Sequence, residues 1–253
     1  MPDTARTAII CAIPQELAGV LAAVPDAVPD THCPQTPARR FWLAHWHGHE
    51  LVLATSGMGK VAAAATTALL AARFGAQRVL LAGTAGALDA RLNVGDVVVA
   101  RAFVQHDMDA SPLFPRYEVP LTGRSRFATD ALLADALAQA ARDALPGADD
   151  GGLGLDVPRV HEGLVASGDR FVSSGAERAA LQAALPDARA VEMEGAAIAQ
   201  VCSDFALPFA ALRIISDKAD ASALLDFNRF LESVASRRIC AALDALLRAL
   251  PPG

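Results

Sequence analysis

A chain of 253 residues that is 53% hydrophobic and 20% charged can bury a large core, and with only 5% aromatics that core must be built from Ala, Val and Leu. Its net charge of −6, with no Lys/Arg cluster, argues against nucleic acid as the main partner. The longest apolar run, Val61 to Ala72, is about a dozen residues and mostly Ala, too short for the roughly 20 residues that span a bilayer.

The N-terminus lacks a basic region followed by an apolar stretch and a small-residue cleavage site, so no secretory signal is expected. Cys11, Cys33, Cys202 and Cys240 are far apart and show no metal-ligand spacing, which fits reduced thiols in a cytoplasmic protein.

In chain order, Thr7–Ile13 reads as a strand, and Pro14 suits the first turn of a helix that follows. Leu51–Thr55 is the next strand, and Gly59–Phe74 reads as a helix ended by Gly75. Arg78–Ala82 and Asp96–Val104 read as strands apolar on consecutive residues, as expected where both faces of a sheet are covered. Asp130–Leu145 is a helix stopped by Pro146, and the Gly/Pro/Asp-rich stretch Pro146–Val160 is a surface loop. Strand Gly163–Ala166, helix Gly195–Phe205 and strand Pro208–Ile215 follow.

The last helix, Asp226–Leu250, carries Phe227, Phe230, Leu231, Val234, Ala242, Leu246 and Leu247 at three- and four-residue spacing and packs that face on the sheet. Strands interleaved with helices throughout predict an α/β fold: one three-layer α/β/α domain over residues 1–253 with a central mixed, twisted sheet.

Open α/β sheets bind ligands where strands end, and three such places carry acids. Glu16 follows the first strand near a helix N-terminus, where a carboxylate also simply complements the dipole. Glu192-Met193-Glu194 precedes the Ala-rich helix at Gly195. Arg213 and Asp217 bracket the end of the apolar strand Pro208–Ile215, in a setting where a carboxyl's pKa can rise enough for it to act as an acid. Cleavage at an anomeric carbon needs one group to protonate the leaving group and another to direct water; Glu16, Glu194 and Asp217 together supply the groups.

The glycine-rich segments Ser56-Gly57-Met58-Gly59-Lys60 and Gly83-Thr84-Ala85-Gly86 lack the spacing of phosphate-binding fingerprints, and read as strand-end turns where glycine serves turn geometry. His106-Asp107-Met108-Asp109 has the composition of a metal site but a single His, so no metal is expected. Phe171, in Ser167-Gly168-Asp169-Arg170-Phe171, is either a core residue or a surface for stacking a flat base.

The segments Ser56–Ala64 (SGMGKVAAA), Gly83–Val99 (GTAGAL and NVGDVVV), Ser167–Val172 (SGDRFV), Val191–Cys202 (VEMEGAAIAQVC) and Arg213–Asp220 (RIISDKAD) occur in order, in a match running from about Thr7 to Leu247. In these the chain resembles the bacterial 5′-methylthioadenosine/S-adenosylhomocysteine nucleosidases of the nucleoside phosphorylase superfamily. The resemblance implies a nucleoside phosphorylase-like fold and hydrolysis of the N-glycosidic bond of a 5′-thio-substituted adenine nucleoside, without cofactor.

It further implies that Asp217 protonates N7 of adenine with support from Ser216, and that Glu16 orients the attacking water. Glu194 and Met193 would contact the ribose, Glu192 would belong to the same substrate-binding set, and Arg213 would hold the Glu194 region. Phe171 would stack on the base and Val172 offer it backbone groups, with Ala85 and Gly86 on the anomeric side and Met58 on the ribose and 5′ side.

Family members are homodimers, which implies that the loop with Leu113 and Phe114 closes a neighbour's 5′ pocket. Pro112-Leu113-Phe114-Pro115 departs from the family's arrangement there, as do Pro14-Gln15, where acidic residues commonly stand, and the long Pro146–Val160 stretch. These departures leave the preferred 5′ substituent open among methylthioadenosine, adenosylhomocysteine, 5′-deoxyadenosine and aminodeoxyfutalosine.

The rival reactions are that of a purine nucleoside phosphorylase, which needs cations for phosphate where this chain has Glu16, and mere nucleoside binding on the same fold.

Overall fold

In the computed structural model, which describes residues 6–147, 154–220 and 230–251, the first strand, β1 (Thr7–Cys11), is buried along its whole length. Ala8 and Ile10 enter one apolar cluster and Ile9 and Cys11 another, because successive side chains of a pleated strand point to opposite faces. A strand with both faces covered needs no polar positions, which is why TAIIC is apolar after its threonine.

β1 lies parallel between β4 (His49–Thr55) and β5 (Arg78–Ala87), and β10 (Phe209–Asp217) runs parallel along the other edge of β5. Beyond β4 the sheet ends in antiparallel β3 (Arg40–Trp46) and the two-residue β2 (Val28–Pro29). Beyond β10 it continues through antiparallel β6 (Val97–Gln105), then parallel β8 (Val160–Ser167) and β9 (Ala188–Glu192). The short β7 (Phe127–Ala128) adds antiparallel to β6. β9 then returns to pair with Gly86 and Ala87 at the end of β5. The expected mixed sheet therefore curls further than a twist: β5, β10, β6, β8 and β9 close into a ring, while β1, β4, β3 and β2 extend from it as an open wing.

Helices α1 (Pro14–Ala23), α3 (Ala131–Ala144) and α6 (Ser236–Ala249) cover the sheet face that carries Ile9, Leu53, Leu80, Val99 and Leu212. Helices α2 (Lys60–Ala72) and α5 (Gly195–Asp204) cover the face of Ile10, Val52, Leu81 and Ile215. This is the expected three-layer α/β/α order. Helix α4 (Gly175–Ala184) closes a smaller cluster with Val104, Leu164 and Val191 through Leu181.

Local chemistry accounts for the helix ends. Pro14 opens α1, where a missing N–H costs nothing. Asp130 caps α3 by accepting from Leu133 N at 2.8 Å. Gly75, at φ +65°, ends the α2 turn.

The elements β3, α4 and β9 lie outside the expected strands and helices, and the first two carry local signals. His47 and Gly48 both have positive φ and join β3 to β4 as a two-residue hairpin. Ser174 caps α4 by accepting from Glu177 N at 3.2 Å, and β9 follows three residues after α4.

The last helix also departs from expectation. A π-helical stretch, Leu231–Ala235, precedes α6, and α6 packs against α1 and α3 more than on the strands. At Gly19 of α1 a Cβ would collide with the Ser236 carbonyl, so the two backbones touch there. Asp226–Arg229, including the expected core residue Phe227, and residues 148–153 of the expected loop lie outside the described residues. Of that loop, 154–159 is neither helix nor strand, and Leu155 packs on the core. Among the described residues no helix is long and apolar enough to cross a membrane.

Candidate active site

The ends of β1, β5, β9 and β10 open on one cavity of about 330 Å³, the size of a small-molecule site. Glu16, Met58, Ala85, Gly86, Phe171, Val172, Glu192, Met193, Glu194, Ser216 and Asp217 all line it. The structure thus brings together site residues expected from six separate stretches of sequence. Arg213 lies behind the wall, fully buried. Ala12, Ile13, Thr84, Arg170 and Val191 also line the cavity; the first two end the expected strand Thr7–Ile13, and the other three lie inside the motifs GTAG, SGDRFV and VEMEG.

Glu16 is the third residue of α1 and folds back on the helix entry. Its Oε2 accepts from the Ala12 and Ile13 amides at 3.0 and 3.3 Å. Its Oε1 accepts from the amide and hydroxyl of Thr84 at 2.8 and 2.9 Å. Four donors on one buried carboxylate hold it in a single orientation, and charge-assisted bonds of this kind are the stronger sort.

Gly83 and Gly86 are not in a turn, as their GTAG pattern suggested, but inside β5. They are glycines because of close approach. A Cβ on Gly83 would collide with Arg213 Nη1 and lie 2.8 Å from Glu16 Oε1, and one on Gly86 would lie 2.9 Å from Asp217 Oδ1. Glu16 and Asp217 therefore press on the same strand three residues, about 10 Å, apart.

The two acids before α5 have different surroundings. Glu192 accepts from the Gly195 amide at 2.8 Å, from the Glu194 amide at 3.1 Å, from the Ser167 hydroxyl and from Arg213 Nη2. Glu194 accepts from the Gly59 amide through Oε1 at 2.9 Å, and its Oε2 has the longer 3.4 Å contact with Arg213. Burial, and after it the nearby Glu192 carboxylate, push the Glu194 carboxyl up to about 8 against the pull of Arg213. Arg213 Nη1 and Nε have no hydrogen-bond partner among the described residues.

Asp217 ends β10. Its Oδ2 accepts from the Ser216 hydroxyl at 2.7 Å and its Oδ1 from the Ala219 amide at 2.8 Å. At the cavity mouth stand Met58, 64% exposed, and Phe171, 40% exposed, so Phe171 is no core residue. Val172 beneath it is buried.

The HDxD segment is tied up internally. Asp107 accepts from Lys60 Nζ at 2.6 Å and from the Asp169 amide at 2.9 Å. His106 packs on Gly168, where any Cβ would collide with its imidazole, and burial lowers its pKa. Leu113, 83% exposed, and half-buried Phe114 do not line this chain's own cavity.

A closed ring of strands with carboxylates at the strand ends defines a class. The family model described as the phosphorylase superfamily matches residues 6–248. A 5′-methylthioadenosine/S-adenosylhomocysteine nucleosidase from Mycobacterium bovis is 35% identical, with 96% of each chain covered. The crystal structure of such a nucleosidase from Neisseria meningitidis, in complex with methylthio-immucillin-A, matches with a TM-score of 0.85 and 33% identity, covering 97% of this chain and 99% of that one. A Helicobacter pylori futalosine hydrolase matches with a TM-score of 0.84 and 31% identity, covering 98% and 99%. The chain belongs to the phosphorylase superfamily and, within it, to the 5′-methylthioadenosine/S-adenosylhomocysteine nucleosidase family.

Proposed function

We propose that this chain hydrolyses the N-glycosidic bond of 5′-methylthioadenosine and/or S-adenosylhomocysteine, releasing adenine and the 5′-thioribose. In this reading Asp217 donates a proton to N7 as the bond between N9 and the anomeric carbon breaks, with the bonding electrons leaving on adenine. Ser216 orients Asp217 by donating to its Oδ2. Water forms the new bond to the anomeric carbon and passes a proton to Glu16, whose four donors aim it from the Thr84 side.

Glu194 takes the ribose hydroxyls together with Met193. Glu192, whose oxygens already serve Ser167, Gly195, Glu194 and Arg213, holds the site rather than the sugar. Phe171 stacks on the base, Val172 offers it backbone groups, Ala85 and Gly86 face the anomeric side, and Met58 the 5′ side. The thiols of Cys11, Cys33, Cys202 and Cys240 are free, which fits a reducing cytoplasm.

One observation favours water over phosphate. Glu16, Glu192, Glu194 and Asp217 line the cavity against, among the described residues, a single basic lining residue, Arg170, which is mostly exposed and already pairs with Glu177 at 2.8 Å. A dianion entering this site would meet carboxylates where it needs cationic donors. Lys60, the cation near the first glycine-rich turn, pairs with Asp107.

Adenine release is expected to be independent of phosphate and to yield the free sugar. The test follows adenine release from methylthioadenosine, adenosylhomocysteine, 5′-deoxyadenosine and aminodeoxyfutalosine in phosphate-free buffer. The last is included because of the likeness to a futalosine hydrolase. A rate that rises in proportion to added phosphate, with accumulation of the sugar 1-phosphate, would overturn the hydrolase reading.

The assembly proposed with it is a homodimer in which Leu113 and Phe114 cap the neighbour's cavity. Exposed apolar side chains in a loop tend to mark an interface. Sedimentation at micromolar concentration should show a dimer, and a fully active monomer would exclude this arrangement.

A further inference from the structure

Met58 and Phe171 form the two sides of the cavity mouth, yet at 64% and 40% exposure neither is held by burial. What joins their segments is a ring of polar contacts. Lys60, the first residue of α2, donates its backbone N–H to Asp169 Oδ1 at 2.7 Å. Its Nζ donates to Asp107 Oδ1 at 2.6 Å and to Gln105 Oε1 at 3.0 Å. Asp107 Oδ2 closes the ring by accepting from the Asp169 amide at 2.9 Å. Gln105 is held in turn, its Nε2 donating to Gln200 Oε1 of α5 at 2.8 Å.

The neighbouring Gly59, at φ +94°, offers its own amide to Glu194, and a Cβ there would lie 3.0 Å from Asp169 Oδ1. So the start of α2, the end of β6 and the loop after β8 meet where a side chain on residue 59 would push them apart.

We propose that Lys60, acting with Asp107 and Asp169, is a positioning residue that latches the Phe171 wall against the Met58 wall and thereby sets the affinity of the cavity for the purine base. This rests on the reading above, in which the base lies against Phe171 and Val172. It also gives the GxGK and HDxD patterns one shared role that is neither phosphate binding nor metal binding. The ring consists of charge-assisted bonds in which the Lys60 side chain is 16% exposed while Asp107 and Asp169 lie at the surface, so each bond is modest and the ring acts by tying three segments together at once. The pair between Arg170 of the same loop and Glu177 of α4 has its arginine 72% exposed and adds little.

A wall that contacts the base in ground state and transition state alike affects binding rather than turnover. Lys60→Met and Asp107→Asn are each expected to raise KM, and the dissociation constant of adenine measured by calorimetry, about tenfold, with kcat within about twofold of the parent. The double variant should be no worse than the worse single one, because either change opens the same ring. Lys60→Arg should recover part of the loss by keeping the cation.

Unchanged KM and adenine affinity, with kcat falling only in line with the folded fraction, would overturn the latch, as would additive losses in the double variant. Adenine binding is read without turnover, so a parent chain that binds adenine but releases none from the nucleosides would defeat the hydrolase reading and still leave the latch to be judged.

Discussion

Asp217→Asn is expected to lower kcat by about 10²–10⁴-fold, the range typical for loss of a general acid. Adenine leaves readily only when a proton reaches its ring, and an amide cannot supply one. The substitution otherwise fits its surroundings. An amide oxygen can still accept from the Ala219 amide, and the Ser216 hydroxyl can donate to that oxygen or accept from the new NH2. The variant should therefore fold and bind nucleoside, which a thermal melt and an inhibitor titration would verify beside the steady-state assay. Turnover near that of the parent, in a folded variant, would remove Asp217 from the mechanism.

Glu16→Gln should be at least as damaging, for a reason visible in the donors around it. Both oxygens accept, one from the Ala12 and Ile13 amides and the other from Thr84. Glutamine has one acceptor oxygen, so its NH2 must face donors at one of these two places. The side chain loses its charge and its orientation together. A loss of about 10³-fold or more in kcat is expected, with adenine affinity little changed because Glu16 acts at the sugar. Single-turnover assays at saturating nucleoside would separate the two effects. A folded Glu16→Gln enzyme that hydrolyses at the parental rate would require another group to direct the water.

A good part of this molecule was legible in sequence because the signals were local. Apolar runs such as TAIIC and RVLLA mark strands covered on both faces, as β1 and β5 are. Helices α2 and α3 lie within a residue or two of where Gly75, Asp130 and Pro146 suggested. The acids at strand ends, Glu16, Glu192, Glu194 and Asp217, were identifiable as a group because strand ends are where such sheets present ligand sites, and one cavity does gather them.

What only the tertiary structure decided depends on partners distant in sequence. Gly59 and Glu194 are 135 residues apart, and Lys60 and Asp169 are 109 apart. No periodicity or cap links such pairs, so Lys60 read as part of a helix start and HDxD as a segment with the composition of a metal site but no expected metal. The same limit applies to Gly83 and Gly86, whose pattern reads as a turn until Glu16, Arg213 and Asp217 are placed against β5. It applies to Glu192 and Glu194 as well: two residues apart in sequence, they differ because the packing of β8, β10 and α5 surrounds one with donors and leaves the other beside the cavity. Backbone propensity and hydrophobic period act over a few residues, whereas hydrogen-bond saturation and close approach are settled only when the ring of strands closes.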